Sequence, residues 1–312
     1  MFQHPVLVIG FNRPNLMNEL LLILEKFGAI DLFVALDGPR NLKEKNLCEE
    51  VYQVIVSFQK NMNIRVLRRS YNLGCMLGVV SALDWFFEQN YFGVVLEDDC
   101  HPEQEFFDFI TKFRNNKSVN DLKNIKIAAA HNPFDMKLNS QNTSAALIHG
   151  WATHSEVWTA IRKNYFKQNF PSIKNVSGNT RNLTNAMYWW ANSTRAKIGV
   201  VDTWDGIFSE QAWRLGFQTL IPDRNLIKNV GFGVAATHTR DPNGSNLVSL
   251  SKQEAAASDL DDLLSKQYYK IGKRHLLTSS LRVIFEYYKI FHNRDFESVL
   301  SQDLSLRTIE NL

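Results

Sequence analysis

"VVLEDDC", Val94–Cys100, sets three carboxylates, Glu97, Asp98 and Asp99, directly behind an apolar run that opens at Tyr91. The run shows no polar–apolar alternation. It therefore predicts a strand buried on both faces, as in a parallel sheet covered by helices on each side. Three adjacent like charges at the end of such a strand repel one another, and what they hold is the question the rest of the chain must answer.

The same punctuation recurs upstream. Val6–Gly10 ("VLVIG") reads as a strand, and Leu16, Leu20, Ile23, Leu24 and Phe27 follow at helical spacing as far as Gly28. Asp31–Leu36 repeats the strand signal, and Leu42–Lys60 is a charged amphipathic helix. Asn63–Leu67 is a third strand, and Met76–Gln89 is a helix with Val79, Leu83, Phe86 and Phe87 on one side. Tyr91–Leu96 closes the series. The order βαβαβαβ predicts an α/β, Rossmann-like, mostly parallel sheet sandwiched by helices, and such sheets bind ligands at the carboxyl ends of their strands.

The polar clusters fall at those ends. Asn12 and Arg13 follow the first strand, Asp37 the second, Arg68, Arg69 and Asn72 the third, and Glu97–Asp99 the fourth. Beyond a helix marked by Phe107, Ile110 and Phe113, the pattern loosens through "KIAAAHNPF" (126–134) and "HGWATHSEVW" (149–158), which predicts a mixed second half. Trp189 and Trp190 read as helical, and "GFQTLIPD" (216–223) reads as a strand ending in a turn. The expected division is a domain over 1–248, its nucleotide-binding half about 1–115 and its acceptor half about 116–248. A helical extension over 249–312 follows, carrying lysines and arginines among tyrosines and leucines.

Composition narrows the field. The 312 residues are 45% hydrophobic, enough for a large core, and a net charge of +3 is too small to suggest a nucleic-acid partner. Cys48, Cys75 and Cys100 are widely spaced without a CxxC, so they read as reduced structural thiols. "MFQHPVLVIGFNRP" lacks a basic leader and a long apolar core, which gives a cytoplasmic expectation. The basic, aromatic tail suits packing against the domain or a second subunit. It also suits the anionic inner face of a membrane.

Hard divalent cations such as Mn2+ and Mg2+ take carboxylate and water oxygens, and one that bridges two phosphates needs only one or two protein carboxylates. An acidic cluster on a parallel-sheet rim meets that need, although acidic residues also favour the first turn of a following helix. Asn12, Asp37 and Asn72 can hydrogen-bond a base or ribose, and Arg13, Arg40, Arg68 or Arg69 can meet phosphate. Singly each is good turn chemistry. Together, on four consecutive strand ends, they predict a nucleotide diphosphate pocket.

The run Ser70–Phe109, "SYNLGCMLGVVSALDWFFEQNYFGVVLEDDCHPEQEFFDF", with "FNRP" (11–14) and "DGPR" (37–40) upstream, resembles the nucleotide-binding half of bacterial GT-A glycosyltransferases. These are the HlpA-like nucleotide-diphospho-sugar transferases, similar in turn to N-acetylglucosaminyltransferase I. "HGWATHSEVW", "DTWDGIF" (202–208) and "NLIKNVGFGVAATHT" (225–239) resemble that family's later motifs in the same order, over roughly residues 5–245. The resemblance implies a metal-dependent, inverting transfer from a nucleoside diphosphate sugar, most simply a UDP-sugar, to a hydroxyl of a glycan or lipid-linked glycan precursor for a surface polysaccharide. It makes Asp99 the metal ligand, sets Asp98 near the ribose and Glu97 near the donor sugar, and gives Asp37 the base.

The resemblance also selects Asp205 as general base. The residues alone leave Asp205 open as a helix N-cap, with Asp202 and Glu210 as competitors. Trp151, Trp158 and Trp204 are candidates to stack on sugar, Trp204 the best of them, or else wall residues. His238 is a further metal candidate, whereas His131, His149 and His154 have no partner at diagnostic spacing. The chain departs from the family pattern at Gly206–Phe208 and at Val234–Ala235, both on the acceptor side. Two other readings fit parts of the chain. A sugar-phosphate nucleotidyltransferase would need a glycine-rich basic loop that "GFNRPN" lacks, and a catalytically silent nucleotide-sugar or glycan binding protein would bind without transfer.

Overall fold

Strand β1 (Val6–Gly10) lies between β2 (Asp31–Leu36) and β4 (Phe92–Glu97), parallel to both, and β3 (Asn63–Arg68) extends the sheet parallel to β2. The computed structural model describes residues 2–29, 31–115, 124–133, 135, 137, 141–166 and 183–231, with backbone alone over 183–189. The expected tail over 249–312, His238, and the Trp189 side chain lie outside the described residues.

The apolar runs lack alternation because both faces are covered. Val6, Val8, Leu32, Val34, Val94 and Leu96 point into one core, which also takes Leu20, Leu24, Val51 and Ile55 from helices α1 (Pro14–Lys26) and α2 (Leu42–Phe58). Leu7, Phe33, Ala35 and Val95 point into a second core with Val79, Leu83 and Phe86 of α3 (Gly74–Phe87). One prediction shifts. The buried residues of α1 are Met17, Leu20, Leu21 and Leu24, while Leu16, Ile23 and Phe27 are half-buried. Residues 20–24 are apolar at every position, so periodicity cannot tell the buried face from Leu22, which is 50% exposed.

The first half runs β3-β2-β1-β4, so the chain reverses its direction of travel across the sheet between β1 and β4. Loops after those two strands diverge there and leave a crevice at their carboxyl ends. The register sets Ile9 beside Glu97 and Gly10 beside Leu36. Arg13 and the acidic cluster thus arise on either side of one crevice.

Beyond β4 the sheet is mixed, as expected. A short ribbon pairs β5 (Cys100–Pro102) with a late strand over Ile227–Asn229, and α4 (Gln104–Asn115) follows β5. Strand β6 (Ile125–Ala129) and the edge strand β7 (Asn142–Thr143) come next in the chain. β8 (Trp151–His154) runs antiparallel to both β4 and β6 and leads into α5 (Ser155–Arg162). Helices α6 (Leu183–Lys197) and α7 (Asp205–Arg214), strand β9 (Gln218–Leu220) and β10, the Ile227–Asn229 strand, complete the elements. This is the expected α/β architecture, a sheet parallel in its first half and mixed in its second, flanked by helices. Among the described residues no helix is long and apolar enough to cross a membrane.

The start of α3 is held from two sides. The backbone N–H groups of Leu73 and Gly74 donate to the Asp37 carboxylate, at 2.9 and 3.2 Å, and those of Cys75 and Met76 donate to Asp202, at 2.7 and 2.9 Å. A helix leaves its first N–H groups without partners in the helix itself, and Leu73 at the N-cap has no side-chain acceptor to offer. Gly74 has φ of 80°, and a Cβ there would strike Asp202, so glycine is required. Asp202 thereby caps a helix 127 residues before it. Asp202→Ala is expected to lower unfolding free energy by about 1 kcal/mol, the usual worth of such a cap. Urea denaturation at neutral pH measures it, and an unchanged midpoint would contradict the capping role.

Candidate functional site at the carboxyl ends of the parallel strands

Arg13 is the N-cap residue of α1 and reaches across the crevice to the end of β4. Its Nε donates to Asp98 Oδ2 at 3.2 Å, Nη2 donates to Asp98 Oδ1, and Nη1 donates to Asp99 Oδ2 at 3.0 Å. The guanidinium fork matches a carboxylate with two parallel N–H groups, and here it spans two carboxylates. Asp98 is 1% exposed and Asp99 8%, so the repulsion between them is little screened by water. Burial alone would lower the Arg13 pKa, but Asp98 and Asp99 outweigh it and raise the value above the ordinary arginine range.

The acids respond to the same field. Burial, then the charges of Asp99 and Asp98, pushes Glu97 up to about 8, with Arg13 opposing and Asp205 adding to the rise. Burial also pushes Asp98 up to about 6, although Arg13 and the Phe11 N–H pull the other way. Above them lies the chain leaving β10. Val230 N donates to Asp99 O at 2.9 Å, and a Cβ at Gly231 would collide with the Asp99 carboxylate. A side chain at 231 would fill the space beside that carboxylate.

Asp37 and Asn72 build the neighbouring loop. Asp37 accepts from the N–H groups of Gly38, Leu73 and Gly74 and from Asn72 Nδ2 at 2.8 Å, which uses the roughly four acceptor sites of a carboxylate. Asn72 also donates to Gly38 O at 2.9 Å. Their turn chemistry is realised. A base arriving here would meet the loop they shape, and Tyr71, 54% exposed, is the aromatic beside it. Asn12 is half-buried next to Arg13. Arg40 pairs with Glu44 on α2. Arg68 turns outward, pairing with Glu49 at 2.6 Å over the Tyr52 ring, whereas Arg69 lies on the Asp37 side and donates to Ser81 Oγ at 2.8 Å. Of the two arginines, Arg69 rather than Arg68 faces this loop.

Across the crevice, Asp205 is the first residue of α7, with Trp204 at the N-cap position. Its Oδ1 accepts from Thr203 Oγ1, and its charge bears on Glu97, Cys75, His149 and Tyr165. The competing acids are engaged elsewhere. Asp202 caps α3, and Glu210 is fully buried between Lys197 Nζ at 2.6 Å and Arg214 Nε at 2.7 Å, joining α6 to α7.

The tryptophans are wall, not platform. Trp151 and Trp204 are 1% and 3% exposed and stack on each other at 6.1 Å, with Phe208 against both and Trp158 stacked on Phe208. Rings this deeply buried present no face to a sugar. The expected acceptor contact through Trp151 and Trp204 is therefore corrected to a structural one: Tyr165 OH donates to Trp204 O and fixes the turn that carries Asp205.

His149 is the residue that spacing did not find. It is packed edge-on to His131 at 5.1 Å, and burial lowers its pKa while Asp99 and Asp205 act to raise it. Burial, aided by His149, lowers His131 to about 4. The signal lay in position alone, since His149 enters β8 beside β4.

Among the described residues no group of three His, Cys, Asp or Glu side chains is placed to enclose a metal ion. A cation of the Mg2+ or Mn2+ kind keeps waters and takes phosphate oxygens beside one or two carboxylates, so it does not require such a group. Asp99, the more exposed of the two acids that Arg13 holds, has hard oxygen donors suited to such a ligand role.

Among solved structures, a mannosyltransferase from Pyrobaculum calidifontis, in complex with GDP-Man and Mn2+, is similar over 99% of this chain and 81% of its own, with 9% identity and a TM-score of 0.46. HddC from Yersinia pseudotuberculosis is similar over 50% of this chain and 78% of its own, with 10% identity and a TM-score of 0.31. The 4-diphosphocytidyl-2C-methyl-D-erythritol synthase of Anaerococcus prevotii DSM 20548 is similar over 55% and 80%, with 11% identity and a TM-score of 0.33. No family model matches the chain, and no curated protein does. Identities and scores this low carry nothing about what this chain does.

The Glu97 carboxyl gives a pH test. Between the ordinary value of 4.5 and about 8 the folded chain keeps a proton that the unfolded chain has released, so stability falls as pH rises through that window. Glu97→Gln, a neutral isostere, is expected to stabilise the protein more at pH 8 than at pH 5. Chemical denaturation at the two values measures it, and an equal effect at both would contradict the raised carboxyl.

Proposed function

We propose that the chain is a cation-dependent glycosyltransferase that moves a sugar from a nucleoside diphosphate to an acceptor hydroxyl, with inversion at the sugar carbon. One observation carries the reading. At the switch point of a parallel sheet, Arg13 holds Asp98 and Asp99 together, while Asp205 stands near enough for its charge to act on the same acidic group. A buried acidic pair is costly to keep. A diphosphate with its cation is a ligand that gives it a use.

In this reading Asp99 is the cation ligand, with a divalent ion such as Mn2+ or Mg2+ supplying charge neutralisation of the departing diphosphate. Arg13 and Arg69 face the donor's phosphates, Asp98 and Glu97 its ribose and sugar, and the Asp37–Asn72 loop with Asn12 its base. Asp205 takes the proton of the attacking hydroxyl as the new bond to the sugar carbon forms and the bond to the phosphate oxygen breaks, its electron pair leaving on the diphosphate. Asp205 lies in the first turn of α7. The acceptor is a glycan or lipid-linked glycan within surface-polysaccharide synthesis, at the inner face of the membrane. Residues 1–248 make the transferase, and the expected tail over 249–312 serves packing on the domain or a second subunit, or contact with the membrane face.

Two substitutions separate the donor and acceptor sides. With UDP as probe, calorimetry is expected to show binding that strengthens with Mn2+ and loses that strengthening in Asp99→Asn. Asp205→Asn should bind UDP as the unmutated protein does, yet release UDP from UDP-sugars about 10²–10⁴-fold more slowly, the usual worth of a general base. A Mn2+ effect that survives in Asp99→Asn, or full turnover by Asp205→Asn, would contradict the corresponding role.

A further inference from the structure

The Arg13 fork is divided unevenly. Two of its nitrogens, Nε and Nη2, serve Asp98, and only Nη1 serves Asp99. Asp98 is the more deeply buried acid, and its backbone N–H is tied to Ile9 O at 3.0 Å. Asp99 is the more accessible one, and the backbone at Gly231 lies so close to its carboxylate that a Cβ there would collide with it. The oxygen that Nη1 holds, Asp99 Oδ2, belongs to the carboxylate suited to a divalent ion.

We propose that Arg13 is the resident cation of this cluster and exchanges with the divalent ion. It bridges Asp98 and Asp99 when no ion is bound, and it releases Asp99 while keeping Asp98 when one enters. The inference rests on the proposed cation at Asp99. Three charges drive it, because a guanidinium and a divalent ion on one carboxylate repel each other at short range, and the unit charge held by a single hydrogen bond yields. The released Nη1 then has an N–H without an acceptor beside the place where a diphosphate would lie, and a phosphate oxygen supplies one.

Two consequences follow from one residue. Arg13 weakens cation binding to the nucleotide-free chain, and it strengthens diphosphate binding once the cation is in place. By linkage, cation and nucleotide must then favour each other's binding.

The test is calorimetry of Mn2+ into the full chain, without and with UDP, for the unmutated protein and Arg13→Met. Without UDP, Arg13→Met is expected to bind Mn2+ about tenfold tighter or more, since a competing unit charge is gone. In Mn2+ it should bind UDP more weakly, so the mutual enhancement shrinks. An equal Mn2+ affinity in both proteins overturns the exchange and leaves the proposed cation site standing. No Mn2+ binding in either protein, with or without UDP, overturns the proposed cation site and the exchange with it. Should Arg13→Met fail to fold, arginine side-chain NMR of the unmutated protein decides. Loss of the slowly exchanging Nη1 signal of Arg13 on adding Mg2+, with the Nη2 signal kept, supports the exchange, and an Nη1 signal unchanged at saturating Mg2+ overturns it.

Discussion

Two buried carboxylates bridged by one arginine set the conditions for everything around this crevice. Like charges about 4 Å apart in a half-dry environment repel by roughly 4 kcal/mol, so Asp98 and Asp99 cannot sit together without a counter-charge. Arg13 supplies it from the opposite lip of the switch point, tying the loop after β1 to the loop after β4. A buried ion group of this kind does little for net stability, because desolvation offsets most of its attraction. In the proposed function, its use is to prepare a charge balance that a diphosphate and a cation can enter.

Around that centre the fold spends backbone hydrogen bonds on holding loops still. Asp37 and Asp202 divide the first N–H groups of α3 between them, one from the loop after β2 and one three residues before Asp205. The same helix start therefore fixes the spacing between the Asp37–Asn72 loop and the turn that carries the proposed base. Tyr165 on Trp204 and Thr203 on Asp205 complete that turn. Glu210 with Lys197 and Arg214 locks α7 to α6 behind it.

The parallel half was legible because its signals are local. Strands buried on both faces have no alternation, and Val6–Gly10, Asp31–Leu36 and Phe92–Glu97 read as strands for that reason. The acidic cluster was legible because strand ends converge in such a sheet. What was not legible depends on long-range partners. Nothing near Asp202 announces that it caps a helix begun at Gly74, and Glu210 gives no sign of being sealed between α6 and α7. Trp151 and Trp204 read as candidate sugar platforms because sequence gives an aromatic's identity and not its depth. Arg68 and Arg69 are adjacent in a strand end, so they point to opposite sides, and only the sheet's neighbours decide which side faces the loop. His149 gains its place from the antiparallel pairing of β8 with β4, which no pattern within "HGWATH" encodes.

The proposed function requires that this crevice bind a diphosphate and a divalent ion together at Asp99. Anomalous scattering from crystals grown with UDP and Mn2+ is the direct test. The expected result is a manganese peak beside the Asp99 carboxylate, shared with the diphosphate at the carboxyl ends of β1 and β4. A diphosphate bound at another place on the chain, or bound here with no manganese at Asp99, would contradict it.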